Sequence, residues 1–147
     1  MQLTPPIALL VVLAVSLALR AEALPRRSPP PVPPAATHVV KLDRNRFDPR
    51  EIRALPGDTI RFVNGMGGPH NVQFMAESIS VVDRKRIDDA MKERIAPLTS
   101  PMFIIEGETF VFVVPSLPAG RYPFLCSPHW ANMRGALVVT APGAPRP

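Results

Sequence analysis

The sequence predicts an all-β fold, a β-sandwich with one helix inserted between strands. Three observations carry this. Short segments that alternate apolar and polar residues recur along the chain, as half-buried strands do. Turn signals rich in Pro, Gly and Asp separate them at the spacing of a sandwich. All nine aromatic residues (seven Phe, Tyr122 and Trp130) fall within residues 37–141 of the 147, a length that suits one compact core and not two.

The elements follow in order. His38–Leu42 is a short strand candidate, Phe47-Asp48-Pro49 a turn, and Glu51–Ala54 a second short strand. Pro56-Gly57-Asp58 marks a tight turn. Thr59–Asn64 alternates Ile60, Phe62 and Asn64 against Thr59, Arg61 and Val63. After the loop Gly65–Pro69, the run His70–Met75 places His70, Val72 and Phe74 on one face of a strand. Glu108–Val114, Gly120–Cys126 and Arg134–Thr140 complete the set. Between them, Ile87, Ala90, Met91 and Ile95 follow helical spacing over Ser80–Ile95. Ser80-Val81-Val82-Asp83 resembles a capping box, Asp88 and Lys92 form an i,i+4 pair, and Pro97 ends the helix. Met91 on that face reads as core filler rather than as a metal ligand.

The termini read differently. Ile7–Leu19 is apolar except for Ser16. As a helix it spans roughly 20 Å, short of the ~30 Å hydrocarbon core of a bilayer. Ala21 and Ala23 form a small-residue cleavage pattern, so residues 1–23 are expected to be a signal peptide. The segment before the apolar run lacks Lys and Arg, and the alternative is an uncleaved anchor; the chain would meet a membrane only in that case. Residues 24–36, with six prolines, form a Pro-rich linker; 37–141 is the domain, and 142–147 a disordered tail. Either N-terminal reading exports the domain, to the periplasm or the extracellular space.

The formal net charge is +5, but residues 37–141 hold 13 basic against 11 acidic side chains, a balance of +2. The basic run Arg84-Lys85-Arg86 is followed at once by Asp88 and Asp89, and no basic stripe is interleaved with aromatics. Nucleic acid is therefore not an expected partner. Cys126 is the single cysteine, which excludes an intrachain disulfide framework.

One constellation carries chemistry. Cys126-Ser127-Pro128-His129-Trp130-Ala131-Asn132-Met133 has the spacing C-x2-H-x3-M between two strands. A second histidine, His70, opens a strand after Gly-Gly-Pro. Two His, one Cys and one Met form the ligand set of a mononuclear blue-copper site. Thiolate and thioether are soft and suit Cu(I), whereas imidazole accepts both oxidation states. A structural zinc site would want more Cys or His, and thioether serves zinc poorly. A Cys–His hydrolase would need an oxyanion hole and an orienting residue that no motif supplies. Metal coordination also explains an unpaired thiol in an exported protein. His38 has no partner motif and reads as ordinary.

These residues sit in three motifs: Pro56-Gly57-Asp58-Thr59 with Phe62-Val63-Asn64; Gly68-Pro69-His70-Asn71-Val72 with Phe74; and Gly120–His129 with Met133-Arg134-Gly135. Together they resemble a plastocyanin-like cupredoxin over most of residues 37–141. The resemblance implies an eight-stranded Greek-key β-sandwich with copper near one end. It implies His70, Cys126 and His129 as equatorial ligands and Met133 as the axial one. It further implies that Asn71 hydrogen-bonds across to the Cys126 loop, that Tyr122 is buried and structural, and that electrons pass through a partly exposed His129. The chain departs from plastocyanins in three ways: one residue fewer between His129 and Met133, Leu125 where they carry tyrosine, and no acidic patch. Photosynthetic function therefore does not carry over.

The function expected is a one-electron carrier on Cu(II)/Cu(I), not an enzyme, with a redox protein partner such as a c-type cytochrome or an oxidase. The alternative is copper trafficking or storage, which the scattered methionines disfavour. Docking is expected through the apolar end around His129 and Trp130.

Overall fold

A computed structural model describes residues 33–141 and residue 143. The expected signal segment, residues 24–32 of the linker, and residues 142 and 144–147 of the tail lie outside the described residues. Among these residues eight strands form: β1 (Thr37–Asp43), β2 (Arg46–Asp48), β3 (Glu51–Ala54), β4 (Thr59–Asn64), β5 (Gln73–Phe74), β6 (Thr109–Val113), β7 (Gly120–Leu125) and β8 (Arg134–Val139). Among the described residues one α-helix, α1 (Val81–Ala90), lies between β5 and β6, preceded by a short 3-10 turn at Ala76–Ser78. The strands make two four-stranded sheets, ordered β2-β1-β4-β6 and β3-β8-β7-β5. Each sheet is mixed: β1 runs parallel to β4 and β3 parallel to β8, and the other neighbours are antiparallel. This is the expected β-sandwich with one inserted helix.

The alternation read in β4 sets its register. Ile60, Phe62 and Asn64 point inward and are buried, while Arg61 is exposed. Phe124 of β7 is fully buried and meets Phe47 (centroids 4.8 Å apart), Phe62 (5.8 Å) and Phe74 (5.7 Å) edge-on, the favoured geometry for aromatic pairs. These four rings come from β2, β4, β5 and β7, so the cluster joins the two sheets.

Four local expectations are corrected. Phe47-Asp48 is not a turn but the end of β2, because Arg44 and Asn45 both take positive φ (46° and 62°) and close a two-residue hairpin that delivers Phe47 to the core. The strand expected over His70–Met75 is formal only at Gln73–Phe74; His70 instead makes an isolated bridge with Phe103. The helix ends at Ala90, not Ile95: Met91 leaves helical geometry (φ −80°, ψ 81°) and buries its side chain completely, whereas Ile95 is exposed. Lys92 thus lies beyond the helix. Asp88 instead accepts from the Leu98 amide (2.8 Å) and pairs with Arg94 (3.2 Å), and the i,i+4 pair is Lys85–Asp89 (2.7 Å). The cap does form, with Ser80 Oγ accepting from the Asp83 amide at 3.2 Å.

At the end of the sandwich away from Cys126, the buried Asp58 carboxylate gathers donors. It accepts from the Ala36 amide (2.9 Å), the Leu55 amide (3.0 Å) and His38 Nε2 (2.9 Å). His38, ordinary by sequence, therefore helps to tie the start of β1 to the turn before β4. Asp58→Asn puts an amide where three donors converge and is expected to cost about 2 kcal/mol, within the range for hydrogen bonds to a buried charge. Urea unfolding checks this.

Candidate metal centre

The loop from Cys126 to Met133 is closed by its own backbone. The Cys126 amide donates to the Met133 carbonyl (3.0 Å), and the His129 amide to the Cys126 carbonyl (3.1 Å). The amides of Asn132 (3.1 Å) and Met133 (2.9 Å) both donate to the His129 carbonyl. This helical turn follows β7 directly, so Cys126 is placed by a strand and His129 by the turn. Cys126 and Met133 are fully buried, His129 is half-buried, and Pro128, Trp130, Ala131 and Asn132 are exposed.

His70 arrives from the other side. Its amide donates to the Phe103 carbonyl (3.0 Å) and its carbonyl accepts from the Phe103 amide (2.8 Å), so its backbone is fixed at both groups. Gly67 and Gly68 turn the chain just before it at φ 109° and 119°, conformations that favour glycine. A Cβ on Gly68 would meet the His129 ring at 3.7 Å, so this loop lies against the His129 imidazole.

The side chains converge. Cys126 Sγ lies 3.8 Å from His70 Nδ1 and 3.5 Å from His129 Nδ1, and the three donor atoms all fall within 4.8 Å of one another. Donors that share one ion at about 2.0–2.3 Å stand roughly 3–4 Å apart, so both sulfur–nitrogen separations fit a common metal. Burial holds the His70 imidazole below its ordinary pKa; His129 pushes the same way, and the Met66 carbonyl and Asp43 oppose. A neutral imidazole is the ligating form. Burial raises the Cys126 thiol above its ordinary pKa, against the amides of Asn71 and His129 that favour thiolate. Ligation requires that sulfur to lose its proton, a change a bound cation favours. The set is one soft sulfur and two imidazoles in a largely dry pocket, with a buried thioether on the same loop. It fits copper.

The sequence of residues 36–140 matches the family described as copper-binding proteins, plastocyanin/azurin family. The chain belongs to that family. Its cofactor is accordingly copper, and the family's members include blue-copper electron carriers. The chain is 35% identical to plastocyanin of Nostoc punctiforme over 111 residues, covering 71% of this chain and 75% of that protein. It is 33% identical to plastocyanin of a Synechococcus species over 110 residues, covering 71% and 74%. Among solved structures, a mutant fern plastocyanin superposes with a TM-score of 0.53 at 25% identity, covering 69% of this chain and 99% of that one. An oxidised amicyanin mutant gives 0.52 at 27% identity, covering 75% and 97%. These likenesses agree with the Greek-key cupredoxin fold.

Beside this cluster, Asn71 reaches the cysteine loop. Its Oδ1 accepts from the Ser127 amide (2.7 Å) and its Nδ2 donates to Ser127 Oγ (3.1 Å). Tyr122 is buried and its hydroxyl donates to the Pro118 carbonyl at 2.9 Å, the structural place the resemblance implied. Sequence reasoning missed Phe103, Ser127 and Gln73. Phe103 carries no local signal, because its bridge to His70 is long-range. Ser127 and Gln73 did carry one: Ser127 adjoins Cys126, and Gln73 is two residues from Asn71, on the same side of an extended chain.

Proposed function

We propose that the chain is an exported one-electron carrier with one copper held by His70, Cys126 and His129 as strong ligands and Met133 as the weak fourth. The observation that carries this reading is the convergence of both histidine Nδ1 atoms on the buried Cys126 sulfur. Copper, when bound, supplies a Cu(II)/Cu(I) couple. The chain's own residues do the rest. The closed 126–133 loop and the Phe103 bridge hold the donors in place, which keeps the structural change between oxidation states small. Burial of Cys126 and Met133 excludes water. Four protein ligands leave no position for a substrate, so the protein is not an enzyme. The half-buried His129 is the edge through which an electron enters or leaves.

The test is a Cu(II) titration followed in the visible. One equivalent per chain should develop an intense thiolate-to-copper band; a colourless copper-loaded protein overturns the reading. Storage or trafficking gains no support, because Met91 and Met133 are fully buried and the described residues present no exposed methionine cluster. Export, to the periplasm or outside the cell, is supported by the apolar segment 7–19 with its Ala21 and Ala23 pattern.

The redox partner, of the c-type cytochrome or oxidase kind, is expected to meet the apolar end. Trp130 is 64% exposed rather than folded inward, and Met66 is 52% exposed on the loop that leads to His70. Trp130→Ala should slow transfer to a redox partner roughly tenfold, as loss of a central aromatic contact does, with the visible band unchanged. The rate should depend only weakly on salt, given the small domain charge. Stopped-flow kinetics at two ionic strengths checks both.

Metal removal should leave the fold standing. The four-ring cluster and the two sheets are built without the ion, so the circular dichroism of the metal-free protein should match that of the loaded one. Copper should raise the Tm by mass action.

A further inference from the structure

Ser127 has one hydroxyl proton, and the structure commits it. Ser127 Oγ accepts from Asn71 Nδ2 at 3.1 Å and donates to Gln73 Oε1 at 2.7 Å, while the Ser127 amide donates to Asn71 Oδ1 at 2.7 Å. The polarity is consistent along the chain. Asn71 spends its NH2 on the hydroxyl and its carbonyl on the amide, so the hydroxyl proton needs an acceptor elsewhere. Gln73 supplies it. Gln73 is itself held: it pairs with Leu125, the residue before Cys126, and bridges Thr99 on its other side. The acceptor therefore stands on a strand neighbour of the segment whose end it orders.

We infer that Gln73 is a positioning residue for the metal loop: by accepting the Ser127 hydroxyl proton it fixes the serine rotamer and, through it, the Asn71 bracket on the backbone beside Cys126. With an aliphatic residue at position 73 the hydroxyl loses its acceptor and competes for Asn71 Oδ1, which the Ser127 amide already occupies. The loop then loosens at the residue that follows the sulfur. This deepens the reading of Cys126 as a copper ligand and rests on it for its consequence, but the hydrogen-bond relay belongs to the chain itself.

The test uses amide hydrogen exchange on the metal-free full chain. Gln73→Val should speed exchange at the residue-127 amide by about threefold to tenfold, the range that one neutral hydrogen bond supplies. The amide of Val40, in the opposite sheet, should be unaffected. Gln73→Glu, which keeps an acceptor oxygen at the same reach, should restore wild-type protection. In a Ser127→Ala background Gln73→Val should have no further effect, because the shared partner is gone. Unchanged exchange at residue 127 in Gln73→Val overturns the inference. So does an equal loss at Val40, a failure of Gln73→Glu to rescue, or additivity with Ser127→Ala. A colourless copper-loaded wild type would instead remove the ligand reading and leave these exchange results standing.

Discussion

Cys126→Ser is expected to abolish the intense visible absorption of the copper-loaded protein while leaving its fold in place. The band needs a sulfur-to-copper charge transfer, and oxygen and nitrogen ligands do not provide one in that range. A serine hydroxyl is hard and far less acidic than a thiol, so it neither suits Cu(I) nor ligates as an anion at neutral pH. The fold should hardly notice. The two side chains are nearly isosteric, and the amides of Asn71 and His129 that favour a charged sulfur can donate to an oxygen as well. A stability change within about 1 kcal/mol is expected for the metal-free protein. Paired measurements decide it: visible spectra at one equivalent of copper, and urea unfolding without metal. A strong band in the serine variant would show that the sulfur is not the ligand. Collapse of the metal-free fold would show that Cys126 serves packing first. Met133→Leu is the contrast, because a weak fourth ligand should alter the band without removing it.

The largest stability effect is expected at Gly135, which binds nothing. Gly135 lies in β8 opposite Phe124 in β7. A Cβ there would stand 2.5 Å and 2.6 Å from Phe124 Cε2 and Cζ, and 2.9 Å from the Arg50 carbonyl oxygen. None of these atoms can yield easily. The Phe124 ring is fully buried between Phe47, Phe62 and Phe74, and the Arg50 carbonyl already accepts from the Ala136 amide at 2.9 Å. Gly135→Ala should therefore cost about 3 kcal/mol, the upper part of the overpacking range. For a domain of this size that lowers the Tm by roughly 10–20 °C. Calorimetry of Gly135→Ala beside Gly107→Ala separates packing from conformation. Gly107 has φ 89° with nothing near its Cβ position, so its alanine bears only the left-handed penalty of about 1–2 kcal/mol. Equal losses in the two variants would refute the packing argument. Because Phe124 is two residues before Cys126, Gly135→Ala should also broaden the visible band.

Much of this was legible in particular residues. Thr59–Asn64 shows its buried and exposed faces by alternation alone, and β4 has those bounds. Ser80 and Asp83 announce the helix start, and the cap forms there. Met91 reads as core filler and is fully buried. Three of the four proposed ligands, Cys126, His129 and Met133, could be named because soft sulfur, imidazole and thioether within eight residues is a chemical statement that needs no coordinates, and the family motifs added His70.

Other features had no local signature. The helix looked five residues longer than it is, because Ile95 continues a periodicity that the backbone at Met91 abandons to bury its own side chain. Phe47 looked like a turn because Asp48-Pro49 follows it, while the event that matters, two positive φ values at Arg44 and Asn45, leaves little trace in residue types that are not glycine.

The sequence by itself determined the chemistry of the site and the register of the longer strands, because donor type is a property of single residues and alternation a property of neighbours. Only the tertiary structure decided that His70 and Cys126, 56 residues apart, share one pocket. It alone decided that Phe103 anchors His70, that Trp130 faces outward, and that Gln73 completes the Ser127 hydrogen-bond chain. Each of these depends on which strands pair and which loops meet across the sandwich. That is settled by the joint burial of rings from both sheets, a constraint no short stretch of the chain contains.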